Sequence, residues 1–169
     1  STVLRLPLSQ GVSRSDVEQH LTDTLLPKLL LFLAGVDELE LRGTSSDFVA
    51  VATRDTGPHA DEVLLESNGR LENWLVFRRG CAVDRTLVDP LGDSWADIEM
   101  VHVAVAVELS EARLPLSTRT HPLHVYFPTE EATGLPIIAH GDFALQLDRR
   151  KLGTNPEAIP YNETLLDVI

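Results

Sequence analysis

The sequence predicts an α+β domain built on a mostly antiparallel or mixed sheet, with a helix pair before it and a helix after it. Three observations point to this class. Short runs rich in Val, Leu and aromatic residues recur between residues 38 and 127, separated by turn residues, which is how strands read. Asn68-Gly69 lies between two such runs, and both residues tolerate positive φ, so a tight hairpin belongs there. The 169-residue chain is 43% hydrophobic and 24% charged, a globular balance and not a disordered one.

In chain order, residues 2–8 place Leu4, Leu6 and Leu8 in alternation, the period of a half-buried strand, which Pro7 confines to an edge. Ser15-Asp16-Val17-Glu18 has the spacing of a capping box. Val17, Leu21 and Leu25 then recur at helical spacing. Pro27 suits a first helical turn, and Gly35 suits the residue after a last one. Two consecutive helices, 15–25 and 27–34, are predicted. Strands follow over 38–41, 48–53, 62–66 and 73–79. Residues 84–97 contain Asp89-Pro90 and Gly92-Asp93 and read as an exposed loop. Residues 98–109 read as a long strand, apolar on both faces and therefore central. Another strand covers 123–127. About five to seven strands in one sheet are expected, with helices at its ends or on one face.

The formal net charge of −12 argues against nucleic-acid binding, which needs clustered cations to displace counterions from phosphates. Cys81 is the only cysteine, so an internal disulfide framework is excluded. Arg78 and Arg79 precede it and would favour its thiolate, but no His-plus-acid set can be placed beside it, and a structural cysteine is the plainer reading. There is no basic region followed by an apolar one, as in a signal peptide. No apolar run approaches the roughly 20 residues of a membrane span. A cytoplasmic protein without membrane contact is expected. The chain starts at Ser1 and ends within an amphipathic pattern, Leu165-Leu166-Asp167-Val168-Ile169, which predicts a piece of a longer protein.

The most specific stretch runs from His121 to Leu152. It contains Phe127-Pro128-Thr129-Glu130, Thr133-Gly134-Leu135-Pro136, His140-Gly141-Asp142-Phe143 and Asp148-Arg149. In this order they resemble the sacsin-like branch of the GHKL ATPases, distant relatives of the heat-shock protein 90 chaperones. There a strand ends in a Pro-Thr-Glu turn, a Thr-Gly-Leu/Phe-Pro segment follows, and an Asp-Phe strand leads to an Arg-rich helix start. Thr2-Val3-Leu4-Arg5-Leu6-Pro7-Leu8 resembles the strand that closes the nucleotide-binding domain in that family. Residues 44–120 match only in general order.

The resemblance implies a division of the chain. Residues 1–10 would be the last strand of a nucleotide-binding domain, 11–36 connecting helices, and 37–169 an α+β domain like the heat-shock protein 90 middle domain. It implies that ATP and Mg²⁺ are held elsewhere, because the Glu, Asn and Gly-rich boxes of a GHKL site are missing from this chain. It also implies one catalytic contribution. Arg149, at a predicted helix start after Leu145-Gln146-Leu147, takes the position of the arginine that reaches the γ-phosphate when domains dock. A guanidinium offers phosphate a planar fork of donors and keeps its charge. Arg150 is the alternative donor. The plainer reading makes Asp148 an N-cap and Arg149, Arg150 and Lys151 a solvated basic patch.

Other constellations are weaker. His121, His124 and His140 lack the four compact ligands of a zinc site, and period two would put His121 and His124 on opposite strand faces; no metal is expected. Glu130 and Glu131 near Asp142 imitate an acid–base pair but read as solvated loop carboxylates. Ser and His residues show no nucleophile-elbow pattern. Trp74 and Trp95 read as anchors of the core and of a loop. The function expected is coupling of ATP binding and hydrolysis in a preceding domain to conformational change, with protein clients as further partners. The alternatives are a non-catalytic protein-binding module and a self-contained small enzyme.

Overall fold

Asn68 and Gly69 adopt φ of 48° and 76°, and Ser67 pairs with Arg70 across them. The two-residue hairpin predicted from sequence is therefore present, and it sets the register of the sheet's centre. The computed structural model describes residues 11–17, 27–42, 47–116 and 119–169. The strand expected over 2–8 and most of the helix expected over 15–25 lie outside the described residues.

One eight-stranded sheet forms the body. Its strands are β1 (Glu38–Arg42), β2 (Asp47–Thr56), β3 (Asp61–Ser67), β4 (Arg70–Ala82), β5 (Met100–Leu109), β6 (Pro122–Val125), β7 (Phe127–Ala132) and β8 (Ile138–Gly141). The spatial order is β1-β2-β3-β4-β5-β8-β6-β7. Every pairing is antiparallel except β6 with β8, which is parallel. The fold is thus α+β with a mostly antiparallel, mixed sheet, as expected. The central placement of residues 98–109 holds as well, since β5 lies between β4 and β8.

Each face carries its own core. On the first face, Ala50, Leu65, Trp74, Val76, Ala106 and Ile138 pack under Leu30, Leu31 and Phe32. On the second, Val101, Val103, Leu123 and Ala139 pack under Tyr161 and Leu165 of the helix Ala158–Leu166. The alternation of β5 divides it between the two: Val101 and Val103 point one way, Ala104 and Ala106 the other. Trp74 is 1% exposed, the core anchor that was expected. Trp95 meets Tyr161 edge-on with ring centroids 5.1 Å apart.

Four local expectations are corrected. The cap at the start of the chain's first helical turn is Ser13, not Ser15: the Asp16 amide donates to Ser13 Oγ at 3.1 Å and the Ser13 amide to Asp16 Oδ2 at 2.9 Å. The segment predicted as a helix over 27–34 is a short 3-10 turn, Pro27–Leu31. Arginines of the sheet bind its carbonyls: Arg54 donates to the carbonyls of Leu30, Leu33 and Val36, and Arg78 to that of Leu31. The stretch 84–97 is not a plain loop. It folds as the helical turns Arg85–Val88, Asp89–Leu91 and Asp93–Trp95, with Asp84 accepting from the Thr86 amide at 2.9 Å and Val88 buried. Finally, Phe127-Pro128-Thr129-Glu130 is not a turn but the start of β7, and the reversal falls at Tyr126, whose φ is 59°. As an edge strand, β7 accepts Pro128 because the missing N–H faces no partner strand on that side.

Candidate functional site

Residues 144–153 form a small hairpin, not the helix start predicted over 148–152. Leu145 and Leu152 bridge, the Gln146 amide donates to the Lys151 carbonyl at 2.9 Å, and the Gly153 amide to the Ala144 carbonyl at 2.8 Å. The turn closes through the Arg149 amide to the Gln146 carbonyl, 2.9 Å, and the Arg150 amide to Asp148 Oδ1, 3.0 Å. Asp148 therefore caps a turn. The pairing of Leu145 with Leu152 prevails over helix propensity here because both residues are half-buried while everything between Leu147 and Lys151 is exposed.

Arg149 stands at the tip of this hairpin with φ of 58°. A left-handed conformation costs a residue bearing a Cβ roughly 1 kcal/mol, and glycine or asparagine is its usual occupant. Among the described residues the Arg149 guanidinium has no hydrogen bond and no carboxylate partner. Its neighbours differ. Arg150 and Lys151 reach Glu130 at 3.3 and 3.9 Å, and the Glu130 amide donates to the Arg150 carbonyl at 2.6 Å. Leu147 beside them is fully exposed. The hairpin thus fixes a cation outward while β7 holds the other two.

The base of the hairpin is held by the last helix. Asn162 is 3% exposed; its Oδ1 accepts from the Ala144 amide and its Nδ2 donates to the Ala144 carbonyl, both at 2.9 Å. The Tyr161 hydroxyl donates to the Asp142 carbonyl at 2.7 Å. Burial, then the nearby Asp142 charge, raises the Tyr161 phenol well above its ordinary value, so it stays a neutral donor. Asp142 in turn accepts from the His102 amide at 2.8 Å. Asp142 therefore ties the exit of β8 to β5 through its carboxylate and to the helix through its carbonyl.

A buried imidazole pair lies on the opposite face. His124 and His140 are register partners on β6 and β8 and are 2% and 4% exposed. Phe32 stacks on His140 at 4.5 Å and Tyr126 meets it edge-on at 4.8 Å. His124 Nδ1 and His140 Nε2 have no hydrogen-bond partner. Burial pushes both imidazoles down to about 4; His121 lowers His124 further, and His124 lowers His140. His121, whose ring lies 6.2 Å from Trp74, falls on the same side as His124 and not the opposite one, because a bulge between Pro122 and His124 breaks the period of two. Among the described residues no group of three or more His, Cys, Asp or Glu side chains could hold a metal ion.

The sequence-derived acid–base candidates are not brought together. Glu130 pairs with the basic turn, Glu131 accepts from the Leu152 amide at 3.2 Å, and Asp142 faces His102 on the other strand pair. Sequence reasoning missed the arginine clamp of Arg54 and Arg78; two arginines at alternate positions of apolar strands were the available signal. No helix among the described residues is long and apolar enough to cross a membrane. Comparison with protein-family models, with curated proteins and with solved structures finds no match.

Proposed function

We propose that this chain follows the nucleotide-binding domain of a sacsin-like, chaperone-type ATPase and resembles the middle domain of heat-shock protein 90. In this reading it couples the nucleotide state of that domain to domain closure, and Arg149 completes the site from outside. One observation carries it. Arg149 occupies a backbone position that favours glycine, yet its side chain makes no hydrogen bond or ion pair within the described residues. A strained residue held by a well-bonded turn points to a role beyond its own fold.

In this reading the metal and the adenine are held by the preceding domain. A bound ATP·Mg²⁺ supplies a phosphoryl group whose transfer builds negative charge on its oxygens. Arg149 adds two donors and a permanent positive charge, present only when the domains close, which lowers the barrier without holding the nucleotide tightly in the open state. Arg150 is the lesser candidate because Glu130 already neutralises it. The clamp of Arg54 and Arg78 on residues 30–36 provides the mechanical link, since that segment leads directly into the sheet.

Two tests apply. The coding sequence upstream of Ser1 should encode about 150 to 200 residues, one domain length, with Asn- and Gly-rich GHKL boxes. In the protein that carries both, Arg149→Ala should slow ATP turnover by about 100-fold with little change in nucleotide affinity. Unchanged turnover removes the proposal.

A further inference from the structure

The second face of the sheet is only half covered. The helix Ala158–Leu166 and the turns of 83–98 lie over Val101, Val103, Leu123 and Ala139. Toward β1 no described residue covers the same face. Antiparallel register puts Val105 beside Phe77 and Val107 beside Leu75, then Leu64 beside Thr53 and Val51 beside Glu66. Val49, Leu64 and Phe77 are 38%, 38% and 41% exposed, while Val51, Leu75, Val105 and Val107 are half-buried. These apolar side chains span four strands but are interrupted on β3, where Leu64 lies between Thr53 and Asn73 across the sheet and between Glu62 and Glu66 along the strand. A concavity of about 300 Å³ opens on this face between Val49, Val51 and Glu66.

The border of these apolar side chains is acidic. Register places Glu38, Glu40 and Asp47 on this face from β1 and β2, and Asp55, Glu62 and Glu66 from β2 and β3. Arg42 offsets Glu40 and Arg113 offsets Glu62; Arg79, on β4 beside Val103, is the third cation there. The carboxylates outnumber the arginines two to one, in a chain of net charge −12.

We propose that this half-face docks a basic amphipathic helix of a protein partner, one with an apolar stripe flanked by lysine or arginine. Three features select that occupant. The covered half of the face is already capped by a helix, so a second helix beside it extends the same layer and completes a two-layer packing. The exposed Val49, Leu64 and Phe77 supply the apolar seat for positions spaced three and four apart. The acidic border attracts cationic flanks and repels a second copy of this chain, which would bring carboxylates against carboxylates. This surface is separate from Arg149 and does not depend on its role.

The probe is a fluorescein-labelled 18-residue peptide of leucine and lysine at helical spacing, titrated into the 169-residue chain at 0.15 M salt and followed by anisotropy. Saturable binding is expected, with amide shift changes in the nitrogen-15 spectrum confined to β2–β5. Leu64→Ser with Phe77→Ser should weaken it about tenfold or more, and so should Glu38→Lys with Glu66→Lys; all four side chains are exposed, and an unchanged melting temperature verifies the fold. The same peptide with glutamate for lysine should not bind. The proposal is overturned if the serine pair binds as tightly as the parent chain, which would reduce the attraction to net charge. It is also overturned if the shift changes map elsewhere, or if the chain self-associates through Phe77.

Discussion

His140 lies flat against Phe32, with ring centroids 4.5 Å apart and planes 16° from parallel. The contact joins the segment after the 3-10 turn to a central strand, and it does so with a neutral imidazole. Burial makes the charged form costly. It leaves His140 Nε2 and His124 Nδ1 without partners.

Stability should therefore fall in mild acid. Both imidazoles are pushed down to about 4 in the folded chain, against roughly 6.5 when unfolded. Between those values the unfolded chain binds more protons, so stability is full above pH 6.5 and is lost as pH falls toward 4. His121, His102, Lys28 and Arg78 add positive charge nearby and work in the same direction. The expected loss is about 3 kcal/mol for each imidazole, measured by urea unfolding at a series of pH values. His124→Leu with His140→Leu should flatten that slope.

Arg54 should be worth more than a surface cation. It binds the carbonyls of Leu30, Leu33 and Val36 and the carboxylate of Asp37. Arg54→Ala strands three carbonyls at once and should cost about 3 kcal/mol. Arg54→Lys should recover little, because one ammonium cannot reproduce the fork. Chemical denaturation checks the size, and faster amide exchange in residues 30–36 checks the place.

Asn162 should control the hairpin from a distance. Asn162→Ala removes both hydrogen bonds to Ala144 inside a buried site and should cost about 2–3 kcal/mol. Hydrogen exchange should quicken across 144–153 ahead of the rest of the sheet.

Much of the sheet was legible in the sequence, because its signals were local. Asn68-Gly69 carries the conformation of a hairpin in two residues, and β5 announces a central strand by being apolar on both faces. Other elements depended on partners far along the chain. Nothing near Pro27 reveals that Arg54 and Arg78 take the carbonyls of the following residues. Asp148-Arg149-Arg150-Lys151 contains a good cap and good helix formers, and only the pairing of Leu145 with Leu152 makes it a turn. The turn expected at Phe127-Pro128-Thr129-Glu130 came from the family resemblance, and in this chain those residues begin the edge strand β7. Arg149 was legible as a residue of interest, whereas its isolation at the tip of a braced hairpin required the fold.

The substitution Arg149→Gly separates function from folding. Glycine relieves the left-handed backbone by roughly 1 kcal/mol and removes a side chain that makes no hydrogen bond or ion pair with a described residue, so the melting temperature should stay level or rise. In the protein joined to its nucleotide-binding domain, ATP turnover should fall about 100-fold with nucleotide affinity nearly unchanged. Full turnover in a stably folded Arg149→Gly protein would contradict the account.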